Sequence, residues 1–195
     1  MINHPPASVT DRVAAVEQLL VKANLVKEDE IADLVHAAQD RWVPENGARV
    51  VAKAWTDPVF KQHLLEQGKA TVEAFGLPMP GHHRHLVVLE NTPDIHNVIC
   101  CSLCSCTAFS IIGLPPDWYK DFEYRSRILR QARSVLAEMG LHLRPDIEIR
   151  VWDTTADTRY MVLPMRPSWT EGWSEEKLAS IVSKESMIGV ARLEV

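Results

Sequence analysis

The stretch Cys100-Cys101-Ser102-Leu103-Cys104-Ser105-Cys106 holds all four cysteines of the 195-residue chain. Because thiolates are soft metal ligands and nucleophiles, such a cluster predicts a metal site or redox chemistry. Cysteines that staple a small secreted fold lie far apart in sequence, and a chain of this length can build a core without them. A structural zinc site usually takes cysteine pairs from two separate segments, and this sequence has no second pair. A thioredoxin-like pair at Cys101 and Cys104 would not need a third thiol.

The spacing C-x-x-C-x-C predicts a short loop that folds back on itself as a claw. Cys101, Cys104 and Cys106 offer three sulfurs, and the peptide nitrogens of Ser105 and Cys106 lie between the last two in the chain. Peptide nitrogens bind a metal only when deprotonated, so iron(III) or cobalt(III) fits the claw better than zinc. Five donors leave one octahedral position open, which favours a catalytic ion.

The claw, together with Gly113-Leu-Pro-Pro-Asp-Trp-Tyr-Lys120, resembles the alpha subunit of nitrile hydratase. The other segments that resemble this family are Arg49 to Pro58, Glu90-Asn-Thr-Pro93, Tyr124-Arg-Ser-Arg127, Arg159-Tyr-Met-Val-Leu-Pro164 and Met187-Ile-Gly-Val190. The resemblance covers nearly everything after the first forty residues. It implies hydration of a nitrile to an amide, without further hydrolysis to the acid, at a non-haem metal.

The amino-acid sequence of the claw differs between the iron and the cobalt members of the family. Iron members read C-S-L-C-S-C-T and cobalt members C-T-L-C-S-C-Y, so Ser102 and Thr107 place this chain with iron. The expected cofactor is one iron(III) per chain, with cobalt(III) as the less favoured metal. The same resemblance implies an axial thiolate at Cys101, a sulfinic acid at Cys104 and a sulfenic acid at Cys106.

The expected metal ligands are therefore Cys101, Cys104, Ser105 and Cys106. The expected catalytic residues are Cys106, Ser105, His82 and His83.

The histidines come from the stretch His82-His83-Arg84-His85. On a strand, His83 and His85 would share one face and His82 would point away. Members of the family carry Gln-Gly-Glu at about this place, with the glutamine amide near the ligands of the metal. If His82 or His83 takes that place, an imidazole replaces a neutral amide and becomes a candidate for proton transfer. A surface cluster without a role is the open alternative.

Phe109-Ser110 stands where relatives usually show Trp-Pro, which implies a different substrate pocket.

The hydrophobic pattern predicts an α+β protein, with a layered α/β sandwich-like domain and an N-terminal helical arm. Residues 1–43 would form the arm, either packed on a local core or embracing another subunit, and residues 44–195 the metal-binding catalytic domain. Predicted helices cover residues 10–25, which Thr10 would cap, 28–40, 44–75 with a break at Asp57-Pro58, a stretch from about Leu114 to Met139, and a short segment after Ser174. Predicted strands cover residues 86–89, 147–152, 160–163 and 188–195.

Charge and composition limit the partners. A net charge of −5 with interspersed signs argues against nucleic acid. The start of the sequence has no secretory pattern and no stretch is long and apolar enough to cross a bilayer, so we expect a cytoplasmic protein without membrane contact.

The bound metal requires cationic partners, because a trivalent ion with three anionic sulfurs and two deprotonated peptide nitrogens is negative overall. No arginine lies near the claw in sequence, although folding could bring one there. The arginines of the long helix are expected to be solvated or ion-paired rather than catalytic: Arg125, Arg127, Arg130 and Arg133. Family members take their arginines from a beta subunit. The resemblance therefore implies an αβ heterodimer, possibly α2β2, acting on a small nitrile. The metal-bearing subunit of thiocyanate hydrolase, which has a cobalt claw, and a non-catalytic metal or iron–sulfur module remain the alternatives.

Overall fold

The structure is a computed structural model and describes residues 8–104 and 106–193, apart from the side chain of Ala37. These residues divide into two compact units, 8–41 and 42–193.

The helices and strands follow one another in the order α1 (Val9–Lys22), α2 (Glu28–Arg41), α3 (Pro44–Thr56), α4 (Pro58–Glu66), α5 (Gly68–Ala74), β1 (His85–Glu90), β2 (Ile95–Cys100), α6 (Phe109–Ile112), α7 (Asp117–Lys120), α8 (Phe122–Glu138), β3 (Glu148–Asp153), β4 (Thr158–Leu163), α9 (Glu175–Ala179) and α10 (Lys184–Ile188). A single 3₁₀ turn, Ser168–Thr170, precedes α9. This mixture confirms the predicted α+β class. No helix of the described residues is long and apolar enough to span a membrane.

The first unit consists of α1 and α2, close to the predicted ranges. Ser8, and not the predicted Thr10, caps α1, because its hydroxyl accepts from the Asp11 amide and the Asp11 carboxylate accepts in return. No residue of α1 is buried. Val16 and Leu19 are 55% and 65% exposed, so the predicted apolar face of this helix lies open.

The second unit contains the core. Asp57 ends α3 and its carboxylate accepts from the amides of Val59 and Phe60, which starts α4 where the Asp-Pro break was predicted. The predicted inward-facing residues of this region are buried or partly buried: Val50, Val51, Ala54, Trp55, Phe60, Leu64, Leu65 and Val72.

The strands form two parallel pairs. β1 runs parallel to β4, with His85 opposite Thr158, and β2 runs parallel to β3, with Cys100 opposite Asp153. Residues 154–157 connect the end of β3 to the start of β4. Consequently the segment that follows β2 and the segment that precedes β1 belong to the same end of the two pairs.

Buried amides join the strands at the other end. The Asn97 backbone N–H donates to Asn91 Oδ1 at 2.7 Å, and Asn97 Nδ2 donates to the Glu90 carbonyl at 2.9 Å. Trp152 of β3 donates its indole N–H to Asn97 Oδ1 at 2.9 Å. Asn91 and Asn97 thus tie β1, β2 and β3 together with most of their polar atoms satisfied.

His96 extends this network to the C-terminal region. Its Nε2 donates to the Gly189 carbonyl at 2.7 Å, and its Nδ1 lies 3.3 Å from Asn91 Nδ2. Burial lowers the pKa of His96, so the ring is neutral and accepts from Asn91. Gly189 has φ +94°, and a Cβ there would lie 2.0 Å from the Asn97 carbonyl oxygen. Only glycine fits this contact.

Three predicted elements differ from the structure, and β2 was not predicted. The helical region expected over residues 44–75 has a second break at Gln67, between α4 and α5. The strand expected over residues 188–195 is wrong for its described part, because α10 extends to Ile188 and Gly189 then takes the left-handed conformation that ends it; residues 194 and 195 lie outside the described residues. The helix expected from Leu114 is two helices, because Asp121 leaves the helical conformation and caps α8 through the Glu123 amide. Gly140, with φ +93°, follows α8 as predicted.

Candidate metal centre

Three cysteine sulfurs converge directly after the last residue of β2. Sγ of Cys101 lies 3.4 Å from Sγ of Cys104, which lies 2.9 Å from Sγ of Cys106, and all three are within 4.8 Å of one another. Cys101 is buried, Cys106 is half-buried and Cys104 is exposed. Ser105, the fourth predicted ligand and a predicted catalytic residue, lies outside the described residues.

These separations fit the ligand set of one metal ion. With a metal–sulfur bond of about 2.3 Å, two sulfurs at right angles are about 3.3 Å apart and two at a tetrahedral angle about 3.8 Å apart. The two short separations here are 3.4 and 2.9 Å, closer to the right-angled arrangement. A thiolate-rich loop with octahedral spacing suits a trivalent iron or cobalt ion better than zinc.

Cys106 is not an unperturbed thiol. Burial, followed by its hydrogen bond with Cys104, raises the pKa of Cys106 to about 11. A thiol with such a pKa is protonated near neutral pH, and coordination to a metal is what deprotonates it.

Cys100 does not belong to the cluster. It is fully buried, and burial together with the Asp153 carboxylate raises its pKa to about 12. Its Sγ lies 3.9 Å from Asp153 Oδ1. The fourth cysteine is therefore a neutral core thiol and leaves the cluster with three sulfurs among the described residues.

Asp153, the last residue of β3, anchors the start of the claw. Its Oδ1 accepts from the Ser102 backbone N–H at 2.8 Å and its Oδ2 accepts from the Ser102 hydroxyl at 2.5 Å. Sequence reasoning missed this residue, because its only signal is the parallel register that sets it opposite Cys100.

Two buried tyrosines bind the backbone at the two ends of the loop. Tyr119 donates its hydroxyl to the Cys106 carbonyl at 3.2 Å, and Tyr124 donates to the Ile99 carbonyl at 2.9 Å. Burial raises the pKa of both tyrosines, so both hydroxyls remain protonated donors. The chain before and after the claw is thus held by α7 and α8.

Arg125, in the first turn of α8, reaches the claw itself. Its Nη1 donates to the Cys104 carbonyl at 2.7 Å and lies 3.4 Å from the Leu103 carbonyl. Arg125 is partly exposed, as expected, but it binds the backbone of the loop instead of a carboxylate of the described residues. Folding brings it to the loop from a position 21 residues away in sequence.

The histidines do not share a strand face as predicted. His82 lies in a turn and is exposed, His83 precedes β1 and is fully buried, and His85 is the exposed first residue of β1. The prediction failed because β1 starts only at His85. The surface-cluster alternative does not hold for His83 either.

His83 is bound to a second buried residue, Arg159 of β4. Arg159 Nε donates to His83 Nε2 at 3.1 Å, and its Nη1 donates to the Thr155 carbonyl. Burial, then the charge of Arg159, lowers the pKa of His83 to about 4. A neutral ring that accepts at Nε2 carries its hydrogen on Nδ1, and Nδ1 is buried without a partner among the described residues.

Arg159 also links the histidine to the claw, because its charge lowers the pKa of Cys106 against the effect of burial. Sequence reasoning did not single out Arg159. The ring of His83 packs edge-on against Phe109, with centroids 4.9 Å apart, and Phe109 packs against Trp42 at 4.5 Å. The position that departs from the Trp-Pro of relatives thus remains aromatic and contacts the buried histidine.

The comparisons with known proteins agree with this geometry. The sequence profile of the family described as "Nitrile hydratase, alpha chain" matches residues 7–191. The structure is similar to that of an Fe-type nitrile hydratase from Comamonas testosteroni Ni1 in which two adjacent histidines are replaced by alanine, with a TM-score of 0.93 and 57% identity over 98% of this chain and 93% of that one.

Curated relatives include cobalt enzymes and a second activity. The sequence is 45% identical to the alpha subunit of the low-molecular weight cobalt-containing nitrile hydratase from Rhodococcus rhodochrous, over 94% of this chain and 88% of that one. It is 38% identical to the gamma subunit of thiocyanate hydrolase from Thiobacillus thioparus, over 91% of this chain and 76% of that one. Because the family profile matches nearly the whole sequence, the chain belongs to the nitrile hydratase alpha-chain family.

Proposed function

We propose that this chain is the metal-bearing alpha subunit of a nitrile hydratase and converts nitriles to amides by addition of water. The observation that carries the proposal is the convergence of Cys101, Cys104 and Cys106 at one end of the fold of this family. When bound, a trivalent ion would supply Lewis acidity at its open position. The protein residues around it hold the loop and place charge near the sulfurs.

The proposed metal is iron(III), held by the three sulfurs and the peptide nitrogens of Ser105 and Cys106. Ser102 and Thr107 read as in iron members, and the 57% identity to an Fe-type enzyme exceeds the 45% identity to a cobalt enzyme. Ser102 also has a structural task here, because its hydroxyl donates to Asp153. Cobalt(III) remains the second metal to be tested.

Access to the thiols supports the proposed oxidation pattern. Cys101 is 1% exposed, whereas Cys104 is exposed and Cys106 half-buried. Oxidation follows exposure and thiolate character, so we expect two oxygens on Cys104, one on Cys106 and none on Cys101. We also expect the cytoplasm as the compartment, because reduced thiols persist there until metal is bound.

His82 and His83 are proposed to act beside the sulfurs. The pair is the only adjacent histidine pair in the sequence, and the Comamonas enzyme also has adjacent histidines that were substituted. Since Arg159 occupies Nε2 of His83, the free hydrogen-bonding atom of the ring is Nδ1–H, a donor. His83 therefore orients Arg159 and offers a donor, while the exposed His82 is the candidate for proton transfer.

The proposed partner is a beta subunit, in an αβ heterodimer or its α2β2 dimer. Leu103 at the tip of the claw is 86% exposed and Phe122 at the start of α8 is 76% exposed, so a metal held here would face water. A second subunit would cover the claw and complete the pocket for a small nitrile.

Residues 1–43 are proposed to serve as an arm that embraces this subunit, since the apolar residues of α1 are exposed. Residues 44–195 are the proposed catalytic domain.

The test is to produce the chain together with its beta subunit and to measure metal content and turnover. We expect one iron per chain, amide formation from a small nitrile and no amide from the chain alone. Stoichiometric zinc, four sulfide-bridged irons, or full turnover by the isolated chain would contradict the proposal. Hydrolysis of thiocyanate without nitrile hydration would favour the thiocyanate hydrolase alternative, which the 38% identical relative keeps in view.

The histidine proposal needs single variants. We expect His82→Ala to lower turnover by about 10²-fold and to change its pH profile, because loss of proton transfer costs about 10²–10⁴-fold. His83→Ala should lower turnover without moving that profile, since its ring is neutral near pH 7. Iron content is the control in both variants. Wild-type turnover in the double variant would contradict both roles.

A further inference from the structure

We propose that Arg125 is a positioning residue for the metal, a permanent positive charge that clamps the claw by its carbonyl oxygens. The inference rests on the proposed metal site and adds a residue of this same chain to it. It concerns the peptide group that joins Cys104 to Ser105, whose oxygen is bound by Arg125.

The clamp starts from the capped first turn of α8, which precedes the kink of this helix at Gln131. Arg125 lies in the first turn of α8, which Asp121 caps, and the next turn of the helix inserts the fully buried Ile128 into the core. From there the guanidinium Nη1 reaches the Cys104 carbonyl at 2.7 Å, a distance typical of a charge-assisted hydrogen bond. The ring of Phe122 lies 5.9 Å from the guanidinium carbon.

The bound carbonyl is chemically coupled to a predicted ligand. Resonance joins the oxygen and the nitrogen of one peptide group. The carbonyl oxygen of Cys104 and the peptide nitrogen of Ser105 belong to the same group, so negative charge on that nitrogen is shared with the oxygen that Arg125 binds. A guanidinium is always charged in proteins and would stabilise this charge from within the alpha chain.

Two other arginines of α8 have partners outside the claw. Arg127 is paired with the carboxylates of Glu123 and Glu138, and Arg133 donates, as Arg125 does, to backbone carbonyls, which here belong to the chain after the helix. Arg125 forms no salt bridge with the carboxylates that the structure describes. Its Nε is buried and has no hydrogen-bond acceptor among the described residues. Its charge is therefore not neutralised by the described residues, as expected for a cation that compensates an anionic metal complex.

The test compares four variants, each produced together with the beta subunit: Arg125→Lys, Arg125→Gln, Arg125→Met and the matched control Arg130→Met, whose side chain is exposed on the same helix. The readouts are iron per chain, the rate of iron loss to a chelator and the thermal midpoint. We expect Arg125→Met and Arg125→Gln to lose iron about 10- to 100-fold faster than wild type, the range typical of residues that support metal ligands. Arg125→Lys, which keeps the charge, should hold iron better than Arg125→Gln, and Arg130→Met should match wild type.

The outcomes separate this inference from the proposed function. Wild-type iron retention in Arg125→Met would overturn the role of Arg125, and better retention in Arg125→Gln than in Arg125→Lys would overturn the role of its charge. If Arg125→Met does not fold, Arg125→Lys and Arg125→Gln still decide the question, provided that their thermal midpoints match wild type. If the wild-type complex itself contains no iron, the proposed metal site fails and not the clamp alone.

Discussion

The two ends of the β2–β3 pair are both rich in polar groups, but they use them differently. At the amino end, Asn91, His96 and Asn97 bind one another and the neighbouring backbone inside the core. At the carboxyl end, the thiols of Cys104 and Cys106 face each other, partly open to solvent. The first arrangement satisfies its own atoms, and the second offers donor atoms to something else.

This difference separates stability from function. Buried polar groups that are all paired rigidify a fold, and their loss destabilises it because their partners are left unpaired. Thiols that converge on one another at the surface gain little for the fold and are explained by a ligand. Substitutions at the amino end should therefore change the free energy of unfolding, and substitutions at the carboxyl end should change metal binding.

The largest effect is expected for Cys101→Ala compared with Cys100→Ala. Cys101→Ala removes a proposed ligand and should abolish metal binding and turnover, while Cys100→Ala should keep the metal because Cys100 lies outside the cluster. Elemental analysis of the two purified complexes checks this. Equal loss of metal in both variants would contradict the assignment of Cys101, and not Cys100, as a metal ligand.

The next effect concerns the amino end, through Gly189→Ala. Its Cβ would collide with the Asn97 carbonyl oxygen at an already positive φ, so we expect a loss of about 3–5 kcal/mol in the free energy of unfolding. Gly76→Ala is the matched control, since Gly76 has a similar φ of +91° but nothing within 4 Å, and it should cost about 1–2 kcal/mol. Denaturant unfolding measures both. Equal costs would mean that the close approach at Gly189 does not matter.

Protonation of His83 is expected to lower the free energy of unfolding by a similar amount. The pKa of His83 in the folded chain is about 4, below the ordinary value of 6.5. As the pH falls, this histidine is therefore protonated in the unfolded chain before it is protonated in the folded chain. The stability it contributes is complete above pH 6.5 and is lost as the pH falls toward 4, by up to about 3 kcal/mol. Unfolding of wild type and His83→Gln between pH 7 and pH 4 tests this, because the variant should lose less stability. Parallel curves would refute the assignment.

The smallest effect is expected for Asp153→Asn. The amide keeps one acceptor for the Ser102 amide but loses the negative charge that binds the Ser102 hydroxyl. Iron retention should fall about 10-fold, the low end for residues that orient metal ligands. Asp146→Asn, at an exposed ion pair with Arg144, is the control and should retain iron like wild type. A fall in thermal midpoint without loss of iron would place Asp153 with the structural network instead.

Local sequence was enough to predict most helices and strands. The Asp57-Pro58 break, the glycine after α8 and the helix after Ser174 all follow from rules that act within a few residues. The strand predicted from residue 188 failed although local signals for a helix were present, because Ser183 caps α10 and the left-handed Gly189 ends it. Only the close approach of Gly189 to the Asn97 backbone needs the tertiary structure.

The claw itself was predictable because its ligands lie within six residues, and the spacing of Cys101, Cys104 and Cys106 already limits the metals that fit. The residues that surround it were not. Asp153 of β3 and Arg125 of α8 bind the loop, and Arg159 of β4 places its charge near Cys106. Only the parallel pairing of the strands and the position of α8 bring these residues there. Sequence alone therefore predicted the cluster of three sulfurs and the family, because both depend on neighbouring residues. The tertiary structure decided which charges surround those donors, because charges from distant segments meet only when the chain has folded.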